Sequence, residues 1–289
     1  MKKAYILAAT AILFWSSMAT VAKLLLGSFS SAQVLCISSL FAAIFLIVKN
    51  IRTHNLLKLR EYSFKDIVIM ILIGLPGILI YNLLYYYGAA IMPASQAFII
   101  NYLWPIMSVV FACILLKEKM TIRKGVAIAV SFVGVIIVAG GGAGGLAGDT
   151  LFGALCILLA AISYGLFTAL NQKFQYDKNI SMMFVYLSTA VITAVICIFE
   201  GGAFSVNLPS LLGFAWNGVL IFGIANTAWT IALESGNTAK ISNLAYITPF
   251  ASLIWTSLFL KEKISIYSVL GLVVIVLGII IQLKDKKQG

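Results

Sequence analysis

Acidic residues are scarce in this sequence, and histidine is almost absent. The 289 residues include nine Asp and Glu, one His and only 10% charged residues. A hydrolytic triad, a zinc site or a pair of catalytic carboxylates needs several of these side chains close together. The chain also has no Gly-rich phosphate loop. The sequence therefore predicts a protein that is not an enzyme, holds no metal and needs no cofactor.

Acidic residues are also missing from the middle of every apolar run. Glu200 and Glu234 fall at the ends of such runs, and Glu118 and Glu262 fall in turns. A buried carboxylate is the usual proton carrier and cation receptor of membrane transporters. Its absence argues against a dedicated cation or proton antiporter. The four cysteines lie inside apolar runs without paired spacing, so no disulfide framework is indicated.

What the chain does have is apolar sequence. Hydrophobic residues make up 62% of it, and the mean hydropathy is +1.07, which is too apolar for a water-soluble domain. About 20 apolar residues are needed to span a bilayer. The fold class predicted is an all-α polytopic membrane protein with ten transmembrane helices in the lipid bilayer. The ten segments are 4–26, 31–49, 66–90, 94–116, 122–140, 150–172, 180–200, 211–233, 238–260 and 264–283.

The 20 basic residues set the orientation. With the N-terminus in the cytoplasm, all of them except Lys23, Lys261 and Lys263 lie on the cytoplasmic side, as the positive-inside rule requires. Both termini are then expected in the cytoplasm, in a plasma or inner membrane. The net charge of +11 is explained in this way, and we expect no nucleic-acid partner. Snorkelling of Lys23 to the interface is favoured over a role in binding an anion.

The chain is a duplication. Asn101-Tyr102-Leu103-Trp104-Pro105 is echoed by Ala245-Tyr246-Ile247-Thr248-Pro249, 144 positions later (105 to 249), and both runs end in Leu-Lys-Glu-Lys. The predicted organisation is a first five-helix repeat over 1–140, a Gly-rich external linker over 141–149 and a second repeat over 150–289. Because five is odd, the second repeat enters the membrane upside down, which gives two inverted repeats.

The repeated prolines predict helix kinks at Pro105 and Pro249. Proline removes one backbone N–H and obstructs the carbonyl four residues earlier, here those of Asn101 and Ala245. In hydrocarbon such a gap persists only where it faces protein or a wet cavity, so kinks at matching positions are a pointer to a transporter's binding site. A simple packing kink is the alternative.

The polar side chains within the predicted spans are amides, hydroxyls and aromatic rings. Helical spacing puts Asn82 with Tyr85 on one face, and Asn226 with Trp229 on another. An amide beside a ring suits an organic solute that has hydrogen-bonding groups and an apolar part; packing between helices is the competing role. The predicted substrate-binding residues are Trp15, Asn82, Tyr85, Asn101, Tyr102, Tyr164, Asn226, Trp229 and Tyr246.

The chain resembles a known family. Trp15-Ser16, Tyr87-Gly88-Ala89, the mid-helix proline, Leu116-Lys117-Glu118-Lys119 and Gly134 are similar to the EamA domain of the drug/metabolite transporter superfamily, and the second half repeats the pattern. The resemblance implies ten helices in inverted repeats around a central cavity, and export or exchange of small metabolites, often amino acids, by alternating access. Small multidrug-resistance relatives carry a glutamate in the first helix that this chain lacks.

We therefore predict a secondary transporter that exports neutral or zwitterionic small molecules, amino acids and aromatic ones first, with substrate bound near the midplane between the halves. A nucleoside, a nucleotide-like solute or a drug is the rival substrate. A membrane-embedded lipid enzyme would need acidic or histidine clusters, and a scaffold or receptor would have no use for repeated prolines and amides. A homodimer is one assembly that the sequence permits.

Overall fold

The computed structural model describes residues 2–141, 148–201, 205–235, 241 and 244–283, and these residues contain helices and turns but no strand. Nine helices in this part of the chain are long and apolar enough to cross a membrane, and a tenth, α9, is apolar but shorter. The predicted fold class is confirmed. The helices are α1 Lys2–Leu26, α2 Ser31–Arg52, α3 Phe64–Ile91, α4 Ala94–Leu115, α5 Ile122–Gly140, α6 Gly148–Lys173, α7 Lys178–Glu200, α8 Leu208–Leu233, α9 Ala245–Leu260 and α10 Ile266–Leu283.

Several helices begin on a residue that caps them. Ser30 before α2, Thr121 before α5, Asp177 before α7 and Asn207 before α8 each accept a backbone N–H of the first turn with their own side chain. These contacts satisfy donors that a helix start would otherwise leave open in a poorly solvated environment. The short polar segments between the apolar runs therefore fix where the spans begin.

Contacts divide the chain into two compact units. Unit 1 comprises Met1–Gly74 and Tyr176–Lys261, and unit 2 comprises Leu75–Gln175 and Glu262–Gly289. Unit 1 thus holds α1, α2, the start of α3, α7, α8 and α9, whereas unit 2 holds the rest of α3 with α4, α5, α6 and α10. Each unit takes helices from both halves of the sequence.

In unit 1, α2 packs along α7, and α1 packs along α8 and α9. The approach is close where small residues lie. A Cβ on Gly218 of α8 would come within 2.3 Å of the Ser38 carbonyl oxygen of α2, and one on Gly74 would meet the Val185 side chain of α7. Small residues let helix backbones approach closely, which is how helices associate in lipid.

Unit 2 has the same plan. Here α10 packs along α5, and α6 packs along α3 and α4. Gly134 and Gly278, which match in the repeat, each face the other's helix, so that a Cβ at Gly134 would meet the Gly271 carbonyl oxygen at 2.8 Å and one at Gly278 the Ala127 carbonyl oxygen at 2.8 Å. In both units, then, the first helix of one half lies against the third and fourth helices of the other half.

The helices with the repeated prolines are interrupted at the same point. The α-helix Ala94–Asn101 ends, Tyr102 and Leu103 form a turn, and a second α-helix runs over Trp104–Leu115 with Pro105 in its first turn. In α9, a 3₁₀ turn over Ala245–Ile247 precedes the α-helix Thr248–Phe259, again with the proline in its first turn. Proline is suited to this position because its missing N–H is not needed there.

Some sequence predictions lie outside the described residues. Most of the predicted Gly-rich linker, 142–147 of 141–149, is among them. So are residues 236–240 and 242–243, which include the predicted start of the ninth span, and the C-terminal residues 284–289.

Candidate functional site

Two π-helical segments precede the matched asparagines. Residues Pro76–Ile80 in α3 and Trp216–Ala225 in α8 are wound as π-helix, a form that often occurs at functional sites. Such winding disturbs the carbonyl ladder. The Asn82 amide nitrogen donates to the Ile78 carbonyl at 2.8 Å, and the Asn226 amide nitrogen donates to the Phe222 carbonyl at 2.8 Å. Both asparagines therefore use their donor on the backbone and keep their amide oxygen as an acceptor.

Unit 2 contains a group of rings that we call the tyrosine cluster: Tyr81, Tyr85, Trp104 and Tyr164. The centroid of Tyr81 lies 4.8 Å from that of Tyr164 and 6.0 Å from that of Tyr85, and Trp104 meets Tyr164 edge-on at 5.1 Å. The Asn101 amide nitrogen donates to the Tyr81 hydroxyl at 2.9 Å. Tyr81 thus brings together three of the predicted site residues, Tyr85, Asn101 and Tyr164.

The interruption of α4 explains how this cluster is built. Asn101 is the last residue of the first α-helical segment, and Trp104 opens the next one. The turn between the two segments brings both side chains to the same group of rings, although Asn101 and Trp104 are only three positions apart in the sequence. A Cβ on Gly165 would come within 2.5 Å of the Met107 Cβ and 2.7 Å of the Met107 backbone carbon. Glycine at 165 is therefore what lets α6 approach α4 closely enough for Tyr164 to reach Trp104.

Buried acceptors surround the cluster. The amide oxygens of Asn82 and Asn101 and the hydroxyl of Tyr85 are buried and have no hydrogen-bond partner among the described residues. Leaving a buried polar atom unpaired costs about 1–3 kcal/mol. Three of them beside one aromatic group are a feature expected of a binding site, in which a ligand supplies the missing partners. Tyr164 and Trp104 are half-buried and form the accessible edge.

Unit 1 contains a second group, the tryptophan cluster: Phe14, Trp15, Trp216 and Trp229. The rings of Trp15 and Trp229 lie 5.2 Å apart, and Phe14 meets Trp216 edge-on at 5.8 Å. The Trp216 indole N–H donates to the Ser17 hydroxyl at 2.9 Å. Ser17 separates the two α-helical segments of α1, Lys2–Ser16 and Met18–Leu26. Two predicted site residues, Trp15 and Trp229, are thus in contact, and Asn226 is exposed one turn before Trp229.

The remaining predicted residues occupy the helix interruptions. Tyr102 is buried in the turn of α4, 6.4 Å from Phe98 by ring centroids, and Tyr246 is half-buried in the 3₁₀ turn of α9. The structure therefore distributes the predicted residues over both units. Trp15, Asn226, Trp229 and Tyr246 belong to unit 1, and Asn82, Tyr85, Asn101, Tyr102 and Tyr164 belong to unit 2.

Sequence reasoning missed Tyr81 and Trp104 as site residues. Tyr81 precedes Tyr85 by four positions, which puts both rings on one helix face, and Trp104 directly precedes the repeated proline. Both features can be seen in the sequence. The π-helical segments are harder to predict: Pro76 is the feature of α3 that indicates irregular winding, and α8 has only Gly218 and Gly223.

The comparisons with known proteins agree with this architecture. A model of the EamA-like transporter family matches residues 2–140 and 151–283. A protein of Clostridium kluyveri described as an uncharacterized transporter is 26% identical over 100% of this chain and 96% of its own length. A protein of known crystal structure is 20% identical, covers 100% of both chains and has a TM-score of 0.71, which shows the fold alone.

Two further relatives have a described activity. The aromatic amino acid exporter YddG of Ancylobacter novellus is 25% identical over 62% of this chain and 63% of that protein. The protein of the same description from Salmonella typhimurium is 23% identical over 66% of this chain and 68% of that protein. With the family model matched across both halves, this chain belongs to the EamA-like transporter family and is a multi-pass membrane transporter rather than an enzyme.

Proposed function

We propose that the protein exports or exchanges neutral or zwitterionic metabolites, amino acids with aromatic side chains first. The observation that carries the proposal is the tyrosine cluster of unit 2, where four rings adjoin buried acceptors that have no partner among the described residues. The tryptophan cluster of unit 1 is proposed as a second group of substrate contacts. The small-molecule substrate would meet no charged residue of either cluster.

The rings supply the apolar part of recognition. Edge-to-face and offset pairs of aromatic rings contribute about 0.5–1.5 kcal/mol beyond the apolar area they bury. Trp104 and Tyr164 form such a pair at the accessible edge of the cluster. A planar side chain of a substrate could extend this series of rings, whereas a branched aliphatic side chain would gain only the burial of its surface.

The amide oxygens supply the polar part. The oxygens of Asn82 and Asn101 accept hydrogen bonds, and an ammonium group donates three. An ammonium also gains from lying near the faces of tyrosine rings, by about 0.5–2 kcal/mol. This chemistry favours a substrate with a protonated amine over a deaminated acid. It is consistent with the described activity of the two aromatic amino acid exporters among the relatives.

A nucleoside, a nucleotide-like solute or a drug remains the second candidate because the same rings could stack on a nucleobase, whose exocyclic amine would meet the same acceptors. A ligand panel separates the two. Purified protein is screened by thermal unfolding, since a ligand that binds only the folded state raises the apparent stability. We expect phenylalanine, tyrosine and tryptophan to raise the melting temperature more than leucine, 3-phenylpropionate, adenosine or uridine do.

Variants connect the ligand to the cluster. Trp104→Ala should weaken binding of the best ligand about tenfold, because it removes one side of the accessible edge. Tyr62→Ala is the matched control, since Tyr62 meets Tyr176 edge-on at 5.9 Å in unit 1, is half-buried like Trp104 and belongs to neither cluster. Equal affinities of both variants and the wild type would refute the tyrosine cluster as the site. Stabilisation by nucleosides and not by amino acids would refute the substrate.

The orientation is part of the proposal. We propose a plasma or inner membrane location with both termini in the cytoplasm, on the evidence of the basic residues. In a background without the four native cysteines, Leu57→Cys should resist an impermeant thiol reagent added to sealed cells, and Lys263→Cys should react. Both positions are exposed in the structure, so the reagent can reach them once it is on the right side. Labelling of Leu57→Cys alone would reverse the orientation.

A further inference from the structure

The start of α4 is capped from a distance. Its N-cap residue is Pro93, which has no side-chain acceptor and makes no side-chain cap hydrogen bond. By contrast, Ser30, Thr121, Asp177 and Asn207 cap the helices that follow them with their own side chains. The first N–H groups of α4 therefore depend on a partner from elsewhere in the chain.

That partner is Glu262. One oxygen of its carboxylate accepts the backbone N–H of Ala94 at 2.7 Å, and the other accepts the N–H of Ser95 at 3.0 Å. An anion at a helix N-terminus is favoured by the orphan donors and by the helix dipole together. Both members of the contact belong to unit 2, although they lie 168 and 167 positions apart in the sequence.

The matching acid of the first half does something different. Glu118 stands where Glu262 stands in the repeated Leu-Lys-Glu-Lys turn, and the preceding lysines have the same left-handed backbone, with φ 58° at Lys117 and 54° at Lys261. Yet Glu118 is exposed and bonds Lys124 at 3.0 Å, six positions away. Within the part of the chain that the structure describes, the same turn therefore gives its carboxylate two different partners.

The contact fixes a helix that carries part of the candidate site. Asn101 lies six residues after Ser95 in the same α-helix, about 9 Å along the axis, and donates to Tyr81. A cap formed by the helix's own residue would persist in every conformation. A cap from Glu262, which lies in the turn between α9 and α10, persists only while that turn stays against the start of α4.

We propose that Glu262 is a positioning residue of the transport cycle: its carboxylate holds the start of α4 in the conformation described here and releases it in the opposite one. Inverted repeats exchange conformations when a transporter changes the side to which it opens. Among the described residues the two matched acids make different contacts, and that is a difference between the halves that this exchange would remove. The proposal concerns the transport cycle and does not depend on the substrate.

Hydrogen exchange measures directly whether the Glu262 carboxylate protects the first N–H groups of α4. In protein reconstituted into nanodiscs, Glu262→Ala should speed exchange of the Ala94 and Ser95 amides at least tenfold relative to the wild type. Glu262→Gln should lie between them, because its single carbonyl oxygen can accept one of the two N–H groups. Glu118→Ala is the matched control and should leave these two amides unchanged. Unchanged exchange in Glu262→Ala would overturn the proposal.

A crosslink tests the release. In a background without native cysteines, Pro93→Cys and Lys263→Cys, both exposed, are joined by a short bismaleimide, and efflux of labelled phenylalanine is measured from proteoliposomes. The crosslinked protein should lose at least nine-tenths of its transport, while each single cysteine treated with the same reagent keeps it. Full transport by the crosslinked protein would contradict the proposal that Glu262 releases the start of α4 during transport.

A structural role predicts other results. If Glu262 only stabilises the fold, Glu262→Ala would lower the melting temperature but transport as fast per folded molecule as the wild type, and the proposal would fail. We expect instead a transport rate lowered about tenfold with a melting temperature close to that of the wild type. A wild type that does not carry phenylalanine would count against the proposed substrate, whereas the exchange experiment would still decide on Glu262.

Discussion

The tyrosine cluster of unit 2 and the tryptophan cluster of unit 1 have the same backbone feature, but its matched side chains are buried to different extents. Each has a π-helical segment that ends before an asparagine whose amide donates 2.8 Å back to a carbonyl four residues earlier. Asn82, however, is 1% exposed, whereas Asn226 is exposed. Tyr85 is fully buried, but its repeat counterpart Trp229 is only half-buried.

The difference shows which properties a repeat preserves. Hydrogen bonds within one helix depend on nearby residues, so matched sequences give matched backbones. Burial depends on how closely the neighbouring helices pack, and matched residues such as Asn82 and Asn226 are buried to different extents although their neighbouring helices correspond. Because inverted repeats exchange roles as a transporter opens to each side, unequal environments of matched residues are expected in any single conformation.

The largest effect on stability is expected at a matched position where one half has glycine at a close helix contact and the other half has serine. Gly165 of unit 2 corresponds to Ser16 of unit 1, since Trp15-Ser16 and Tyr164-Gly165 match in the first helices of the two halves at an offset of 149 (16 to 165), and Ser16 is fully buried. Gly165→Ser should lower the free energy of unfolding by about 3 kcal/mol or more, because the new Cβ would meet the Met107 backbone at 2.7 Å and overpacking at backbone is hard to relieve. Ser16→Gly should cost about 0.5 kcal/mol, the difference in helix propensity between serine and glycine.

Thermal unfolding in detergent measures both substitutions. An unchanged melting temperature in Gly165→Ser would show that α6 can move away from α4 without cost. The packing difference between the units would then be smaller than the structure indicates.

The matched asparagines give the next test. Asn82→Ala should weaken ligand affinity about threefold to tenfold and also cost about 0.5–1.5 kcal/mol of stability, because the buried Ile78 carbonyl loses this hydrogen bond and keeps the one from the Tyr81 N–H. Asn226→Ala should impair transport but change stability by less than about 0.5 kcal/mol, since its side chain is exposed and buries little surface. Ligand affinity and melting temperature are measured for each variant.

Asn217→Ala is the packing control for this pair. Its amide donates to the buried Ser38 hydroxyl at 3.0 Å within unit 1, so the loss should appear in stability and not in affinity. If Asn82→Ala behaves like Asn217→Ala, with affinity unchanged, the amide of α3 has a packing role.

A third comparison sets the remote cap of α4 against the local cap of α7. Partial burial of Asp177 opposes ionisation, but hydrogen bonds from Lys58 and Asn55 outweigh it and hold the pKa of its carboxyl below the usual value. Its contribution to stability is therefore present above the unfolded pKa of about 4 and is lost as the pH falls through the lower folded pKa. The contribution is about 1 kcal/mol, most of it from capping.

Asp177→Asn should keep the cap and lose the pH dependence, while Asp177→Ala should lose both. Melting temperatures measured between pH 3 and pH 7 distinguish the two variants. Neither should slow transport, because α7 is capped by the residue before it, and the contacts of Asp177 with Lys58 and Asn55 join residues between the spans rather than the start of a helix that carries candidate site residues. Slower transport by Asp177→Ala would remove the contrast with Glu262.

The smallest effect concerns a feature that the two halves share. Lys117 and Lys261 both have positive φ, a conformation that costs an L-residue about 1–2 kcal/mol and glycine almost nothing. Replacing either lysine with glycine should raise the free energy of unfolding by up to about 1 kcal/mol, and by equal amounts in the two halves. Lys→Val at the same positions should lower it. Unequal gains would mean that the contact of Glu262 already compensates the strain at Lys261.

The sequence by itself determined the class of protein, the ten helices and the duplication. Apolar runs of about 20 residues can satisfy their backbone only as helices in a bilayer, so composition and length decide the fold class. Local polar residues such as Ser30, Asp177 and Asn207 decide where helices start. The match between Asn82 and Asn226 is likewise a property of the repeat, whereas the hydrogen bond of each amide to the preceding turn was seen only in the structure.

Only the tertiary structure decided which helices lie together. The sequence halves do not form the two units; in each unit the first helix of one half packs with the third and fourth helices of the other. Contacts such as Asn101 with Tyr81 and Glu262 with Ala94 follow from that packing. The physical reason is that lipid-facing and protein-facing residues are equally apolar in a membrane, so the choice of neighbour rests on small residues such as Gly134, Gly165 and Gly278 and on polar atoms that meet only after the helices have packed.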